Sequence, residues 1–201
     1  MSINYIKAPF HSKENTAIRG DLKSSIHYKS VPAINAFQRI LLKANGTVTE
    51  LLEAYLAEPI AIVKLSENLE SMKPEFRGMK FDKEERVIVR KVLLQGKSSR
   101  QNFIYADSLI LIDNLDERFS YELLNTKKPI GKLWSQEKVE TFKEVIDSGK
   151  EAAGELAKYF CIESEESMLF RTYSVSSQRK VTMIITEKFP ENSFPHNSPS
   201  L

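Results

Sequence analysis

The sequence predicts an α+β domain in which helices pack on an antiparallel β-sheet. Three observations support this prediction: one strand-like hairpin in the middle of the chain, a second hairpin near its end, and one long amphipathic helix predicted between them. Hairpins join antiparallel strands, and the apolar face of such a sheet must be covered by a second layer. With 201 residues, 41% apolar and 28% charged, the chain is long enough to bury one core.

Two short helices are predicted first. The first has four apolar residues at helical spacing, namely Ile34, Phe37, Ile40 and Leu41. Asn45-Gly46 is expected to end it with residues of left-handed conformation. Thr47 and Glu50 have the spacing of a capping box and start a second helix, which Pro59 ends.

Runs of β-branched and aromatic residues predict five strands. They are the segments 60–65, 85–94, 102–112, 168–175 and 181–189. A polar connection through Pro74 and Gly78 follows the first strand, and short polar turns join the other four into two hairpins. Between the hairpins, apolar residues at i, i+3 and i+4 from Phe142 to Phe160 predict one long amphipathic helix, which is weakest at Gly149.

The two ends of the chain are predicted to flank the domain. Residues 1–32 have scattered serines and no sustained hydrophobic period, and residues 191–201 form a polar tail with two prolines. The folded domain is therefore expected at residues 33–190.

Composition argues against several classes of function. The 29 basic and 27 acidic residues give a net charge of +2 and alternate along the chain, whereas nucleic-acid binding needs a clustered basic face. Uninterrupted apolar stretches such as Leu109 to Ile112 are far shorter than the ~18 residues of a membrane span. His11, His27 and His196 have no metal-ligand spacing, so no metal site is predicted.

Cysteine usage and the first residues predict the compartment. Cys161 is the only cysteine, which excludes an intramolecular disulfide, and we expect its thiol to be buried. The first ten residues, MSINYIKAPF, lack the apolar core of a secretory signal. We expect a cytoplasmic protein that is a monomer or a homodimer, with an organelle transit peptide as the weaker alternative.

Three charged residues share strand faces with apolar neighbours. Side chains alternate along a strand, so a charge in phase with apolar residues is predicted to point inward. Glu187 and Arg171 meet this test in the last hairpin, and Arg90 meets it in the first, where the alternate set of residues is almost as apolar. A buried charge costs free energy unless it is paired or binds something charged.

Two explanations of these buried charges remain open. A structural Arg-Glu ion pair and a ligand site produce the same pattern. Two arginines with one glutamate leave positive charge uncompensated, and the planar fork of arginine matches a carboxylate. The second explanation therefore predicts a pocket for a small anion.

Six segments stand in order between residues 37 and 190. They are FQRILLKANGTVTELLEAYLAEPI at 37–60, RVIVRKVLLQG at 86–96, YADSLI at 105–110, KPIGKL at 128–133, LFRTYSV at 169–175 and ITEKFP at 185–190. In this order and spacing they resemble the chorismate pyruvate-lyase family, in particular its second type, found in archaea, cyanobacteria, plastids and some bacteria.

The resemblance implies an antiparallel sheet with flanking helices and a buried site. It further implies elimination of pyruvate from chorismate to give 4-hydroxybenzoate, for quinone or related aromatic biosynthesis, without a metal or organic cofactor. Arg90 would then hold the ring carboxylate, helped by the backbone N–H groups of Thr47 and Val48. Glu187 would contact the ring hydroxyl.

Two more residues are carried over from the family motifs. Arg171 would bind a further anionic group, such as the enolpyruvyl carboxylate, and Gly131 of KPIGKL would line the substrate site. Ser174 departs from the family pattern, because relatives often have a second basic residue after the RTY motif. This departure leaves open how the second carboxylate is held.

Two rival functions are compatible with the same residues. Effector domains of some transcription regulators share this fold, but a winged-helix DNA reader of ~60 to 70 residues precedes them, whereas about 32 residues precede the predicted domain here. This difference argues against a sensory domain that binds small anions, which is the second hypothesis. A structural interaction domain, the third, predicts no enclosed cavity beside Arg90 and Glu187.

Overall fold

A six-stranded antiparallel sheet forms the centre of the protein. The computed structural model describes residues 34–72, 75–76, 79–80, 85–125 and 140–194. The strands of the sheet are β1 (Ile60–Met72), β4 (Glu85–Gly96), β5 (Asn102–Leu111), β6 (Phe142–Ala152), β7 (Ser167–Ser177) and β8 (Lys180–Pro190). Their order across the sheet is β1-β4-β5-β8-β7-β6, and the short strands β2 (Glu75–Phe76) and β3 (Met79–Lys80) pair separately.

Short helices pack against both faces of this sheet. They are α1 (Ala36–Lys43), α2 (Val48–Leu56), α3 (Glu117–Asn125) and the single turn α4 (Ala157–Phe160). Among the described residues no helix is long and apolar enough to cross a lipid bilayer. The predicted α+β class, with an antiparallel sheet and packed helices, is confirmed.

The ends of α1 and the start of α2 differ from the prediction. The chain leaves α1 at Ala44 in an extended conformation, with φ −68°, and neither Asn45 nor Gly46 has a positive φ. Thr47 is the N-cap of α2 as predicted, but its side chain makes no capping hydrogen bond. Arg171 of the sheet donates to the Ala44 carbonyl instead, so a tertiary contact replaces the glycine-type helix end.

Residues 142–160 do not form the predicted long helix. The segment is strand β6, followed by a 3₁₀ turn (Gly154–Leu156) and by α4. A β-bulge between Val145 and Asp147 shifts the side-chain alternation by one residue. The apolar residues of this strand therefore do not keep a period of two in the sequence, and their spacing resembles that of a helix. Cys161, predicted to be buried, is exposed at the left-handed C-cap of α4, with φ 56°.

Two apolar clusters fill the space between the helices and the sheet. The α1–α2 cluster is Leu41, Val48, Leu52, Ile60, Val92, Leu94, Phe103, Ile104, Ala106, Leu169, Phe189 and Phe194. The α3 cluster is Ile88, Ile110, Phe119, Leu123, Tyr173, Val175, Met183 and Ile185. Because both clusters use the same sheet face, the strip of sheet between them is where a site can lie.

Phe194 extends the packed part of the chain beyond residue 190. Its ring is only 1% exposed and meets the rings of Phe37 and Phe189 at centroid distances of 5.0 and 5.8 Å. The carbonyl of Phe194 also accepts a hydrogen bond from the side chain of Asn35, the N-cap of α1. Of the predicted tail at 191–201, residues 191–194 are thus described, whereas residues 1–32 lie outside the described ranges.

We expect Phe194→Ala to lower the free energy of unfolding by about 3–5 kcal/mol, since it empties a packed aromatic position. Urea unfolding followed by circular dichroism measures the change. Phe142→Ala is the matched control, because Phe142 is 68% exposed and its loss should change stability by no more than about 0.5 kcal/mol. Equal effects of the two substitutions would show that Phe194 is not part of the core.

Candidate active site

The three buried charges lie on the face of the sheet that α1, α2 and α3 cover. Arg90, Arg171 and Glu187, here called the ionic row, are 2%, 2% and 4% exposed. Strand pairing sets Arg171 opposite Glu187 and Arg90 opposite Ser108, which is buried. The predicted inward orientation of all three charges is therefore confirmed.

The ionic row separates the two apolar clusters. On each strand that contributes to it, the charged residue stands between a residue of the α3 cluster and one of the α1–α2 cluster. These neighbours are Ile88 and Val92 on β4, Tyr173 and Leu169 on β7, and Ile185 and Phe189 on β8. The row is thus flanked by apolar side chains, where charge–charge interactions are stronger than in water.

Glu187 is held by two donors, one on each carboxylate oxygen. Arg171 Nε donates to Oε2 at 2.7 Å, and the Tyr173 hydroxyl donates to Oε1 at 2.9 Å. Burial lowers the pKa of Arg171, but the interactions with Glu187 and Tyr173 together outweigh this effect and leave that pKa raised. Burial and the charge of Glu187 raise the pKa of Tyr173 well above its usual range, so the phenol keeps its proton and remains a donor.

Arg90 is much less completely paired than Arg171. Its Nε lies 3.5 Å from Oε2 of Glu67 on β1, and Glu67 is also bound to Lys64 at 2.5 Å. Neither Nε nor Nη1 of Arg90 has a hydrogen-bond partner within the described part of the chain. Burial lowers the pKa of Arg90, and the negative charge of Glu67 offsets part of that effect.

The loop between α1 and α2 is anchored to the sheet beside the row. Arg171 Nη1 donates to the Ala44 carbonyl at 2.9 Å, and Lys143 Nζ donates to the Gly46 carbonyl at 3.2 Å. This places half-buried Thr47 and buried Val48, at the start of α2, directly after the anchored carbonyls. The backbone N–H groups of a helix's first turn have no acceptor within the helix and can bind an anion.

The two arginines differ in how completely their buried charges are paired. Arg171 forms a structural ion pair with Glu187, whereas Arg90 carries a positive charge whose only salt-bridge partner among the described residues is Glu67. A buried guanidinium with unused donors is suited to hold a carboxylate in a bidentate way. Gly131, also predicted to line the site, lies outside the described residues.

Sequence reasoning missed Lys143 and Glu67 as neighbours of the row, and it placed Tyr173 beside Arg171 without giving it a role. Tyr173 has the strand phase of Arg171, so the same alternation identifies it. Lys143 was hidden because its segment was predicted to be a helix; as a strand, it shares a face with Val145, which packs against the α3 cluster. Glu67 lies in the polar part of β1, which was predicted to be a connection.

Comparisons with known proteins agree with the fold and the motifs. The sequence model described as chorismate pyruvate-lyase, Rv2949c-like, matches residues 42–194. A chorismate pyruvate-lyase of Mycobacterium tuberculosis is 29% identical over 181 residues, covering 85% of this chain and 89% of that protein. A chorismate pyruvate-lyase of Mycobacterium leprae is 34% identical over 106 residues, covering 53% of this chain and 50% of that protein.

A solved structure shares the fold at much lower sequence identity. PhnF from Mycobacterium smegmatis superposes with a TM-score of 0.56 at 8% identity, covering 75% of this chain and 66% of that chain. This likeness concerns the fold alone. With most of its length matched by the family's sequence model, the chain is a lyase that belongs to the Rv2949c-like chorismate pyruvate-lyase family.

Proposed function

We propose that the protein eliminates pyruvate from chorismate to give 4-hydroxybenzoate. The observation that carries this proposal is the buried, incompletely paired guanidinium of Arg90, 2% exposed, within a sheet face that also holds the Glu187 carboxylate. Membership of the family supports chorismate as the substrate. Use of the product in quinone or related aromatic biosynthesis, in the cytoplasm, belongs to the same proposal.

The reaction balances without an oxidant or a cofactor. The bond between the ring carbon and the ether oxygen breaks, and its electron pair leaves with enolpyruvate. The ring carbon that carries the hydroxyl gives up its proton, which makes the ring an aromatic phenol. Enolpyruvate takes up a proton and becomes pyruvate, so no atom is lost and aromatisation provides the driving force.

Arg90 is proposed to bind the ring carboxylate. Its Nε and Nη1 are buried without a hydrogen-bond partner among the residues described. A carboxylate bound bidentately to Nη1 and Nη2 would satisfy Nη1, while Nε stays on the edge that faces Glu67. The N–H groups of Thr47 and Val48 would complete the carboxylate site, because they lie next to the loop that Arg171 anchors at Ala44.

Glu187 is proposed to accept a hydrogen bond from the ring hydroxyl. Two donors already hold its oxygens, at 2.7 Å from Arg171 and 2.9 Å from Tyr173, which fixes the carboxylate in one orientation. A carboxylate has about four acceptor positions, so it can accept from the substrate as well. This arrangement favours Glu187 as an acceptor over Glu187 as a proton donor.

The rate enhancement is proposed to come from orientation and preorganised charge. Fixing a dianion between Arg90 and the cations around Glu187 holds the ether in one geometry before the bond breaks. The charged groups are already in place and partly desolvated, so little reorganisation is needed as charge develops on the leaving oxygen.

The purified protein should release pyruvate from chorismate in step with the appearance of 4-hydroxybenzoate. Pyruvate is followed by a coupled dehydrogenase assay, and chromatography separates the 4-hydroxy from the 3-hydroxy isomer. Heat-denatured protein controls for spontaneous decay of chorismate. Saturable chorismate binding without pyruvate release would contradict the proposal and support a sensory domain, and 3-hydroxybenzoate as the product would contradict the regiochemistry.

The two arginines should respond in opposite ways to the same substitution. We expect Arg90→Gln to reduce kcat/KM by about 10²- to 10³-fold while the free energy of unfolding stays the same or rises by about 1 kcal/mol, because a poorly paired buried charge is removed. Arg171→Gln should lower the free energy of unfolding by about 3–5 kcal/mol, because it leaves Glu187 buried without its cation.

Urea unfolding and chorismate turnover, measured on both variants, test this pair. A lower free energy of unfolding in Arg90→Gln would show that Arg90 stabilises the fold through its ion pair with Glu67. An unchanged kcat/KM in Arg90→Gln would remove Arg90 from the site.

Glu187→Gln tests whether the carboxylate transfers a proton. An acceptor role predicts a fall in kcat/KM of about 10-fold, since the amide oxygen keeps one acceptor but loses the charge. An essential proton transfer predicts a loss of about 10²- to 10⁴-fold. Steady-state kinetics on chorismate, with circular dichroism as the folding control, distinguish the two outcomes.

A further inference from the structure

Glu67 lies on β1, which pairs with β4 at one end of the strand order. It is the register partner of Arg90, so the two side chains lie on the same face of the sheet. Oε2 of the carboxylate is 3.5 Å from Nε of the guanidinium. Within the described ranges no other acidic side chain forms a salt bridge with Arg90.

A β-bulge in β1 produces this arrangement. The bulge lies between Lys64 and Ser66. Lys64 is paired with Val92, and Glu67 is paired with Arg90. Because these two partners share one face of β4, Lys64 and Glu67 also share a face, although they are three residues apart in the chain. Regular alternation would place them on opposite faces, so the bulge is what brings an acidic side chain to the buried arginine.

Glu67 contacts its two cations unequally. Its Oε1 accepts a hydrogen bond from Lys64 Nζ at 2.5 Å, whereas the 3.5 Å to Arg90 Nε is beyond the usual hydrogen-bond range. The side chains of Lys64 and Glu67 are 33% and 20% exposed, so water screens their charges in part. Glu67 therefore offsets the charge of Arg90 incompletely and leaves its hydrogen-bond donors unused.

Packing, and not Glu67, holds the side chain of Arg90 in place. Arg90 is 2% exposed and stands on β4 between Ile88 and Val92, which belong to the two apolar clusters. Close packing of this kind restricts a side chain to one position. What Glu67 contributes is negative charge, which stabilises a buried guanidinium and repels a second carboxylate that approaches the same group.

We propose that Glu67 is a resident counter-ion of Arg90, which stabilises the empty site and lowers the affinity of Arg90 for the ring carboxylate of a ligand. This inference rests on the proposed function. Substrate and product of that reaction both carry the ring carboxylate, so Glu67 weakens the binding of both. The opposite role is that Glu67 orients the guanidinium, in which case its loss would weaken binding.

Glu67→Gln distinguishes these roles, because the amide keeps the shape of the side chain and removes its charge. We expect the dissociation constant of 4-hydroxybenzoate, measured by isothermal titration calorimetry, to fall by about 3- to 10-fold. The urea midpoint of the ligand-free protein should fall as well, because Arg90 loses its counter-ion. Glu67→Asp, which keeps the charge but withdraws it from Arg90, should change both quantities in the same directions by less. Binding that is weaker or unchanged, or a midpoint that does not fall, overturns the proposal.

Glu70→Gln is the matched control on the same strand. Glu70 is paired with Val87, on the face opposite to Arg90, so removing the same charge there should leave the dissociation constant within about twofold of wild type. An equal gain of affinity in Glu70→Gln would mean that net charge alone is responsible, which also overturns the proposal.

Turnover by the wild-type protein tests the proposed function separately. If wild type releases pyruvate and Glu67→Gln binds 4-hydroxybenzoate no more tightly, the role of Glu67 is wrong and the proposed function stands. If wild type neither releases pyruvate nor binds 4-hydroxybenzoate, the proposed function fails first and the role of Glu67 fails with it.

Discussion

The burial of several charged groups between two apolar clusters is the constraint on which the structure depends. A guanidinium or carboxylate taken out of water is stable only with partners at short range. Glu187 has such partners in Arg171 and Tyr173, both on the neighbouring strand. Within the described ranges Arg90 has only a long contact with Glu67, so the protein retains a buried charge that a bound carboxylate would stabilise.

Regular strands give these groups their fixed positions. Arg171 and Glu187 are paired in register, and every strand of the sheet is hydrogen-bonded to its neighbours in the order observed. A site built on such strands holds its charges in place before substrate arrives. The α1–α2 loop is held to the same sheet, because Arg171 and Lys143 donate to the carbonyls of Ala44 and Gly46.

The alternation of side chains along a strand was sufficient to predict which charges are buried where the strand is regular and one of its faces is more polar than the other. It identified Arg171 and Glu187 on β7 and β8. On β4 it was ambiguous because Val87, Val89 and Leu93 of the opposite face are also buried, and a strand that is apolar on both faces has no polar side to mark its phase.

Sequence reasoning failed where tertiary structure alters a local pattern. The bulge in β6 gave its residues a helical spacing and so concealed Lys143. The polar outer half of β1 resembled a connection because an edge strand exposes much of its surface. The end of α1 depends on Arg171, which lies 127 residues away in the chain, and no local signal contains that contact.

The irregularities of the outer strands have a consequence for solubility. Among the described strands, β1 and β6 form the two edges of the sheet, and each carries a bulge, after Lys64 and after Val145. A bulged edge strand does not form a regular hydrogen-bond ladder with a straight strand of another molecule, and its charged residues repel a strand of like charge. The distortion that brings Lys143 to the ionic row thus also discourages edge-to-edge aggregation between copies of the protein.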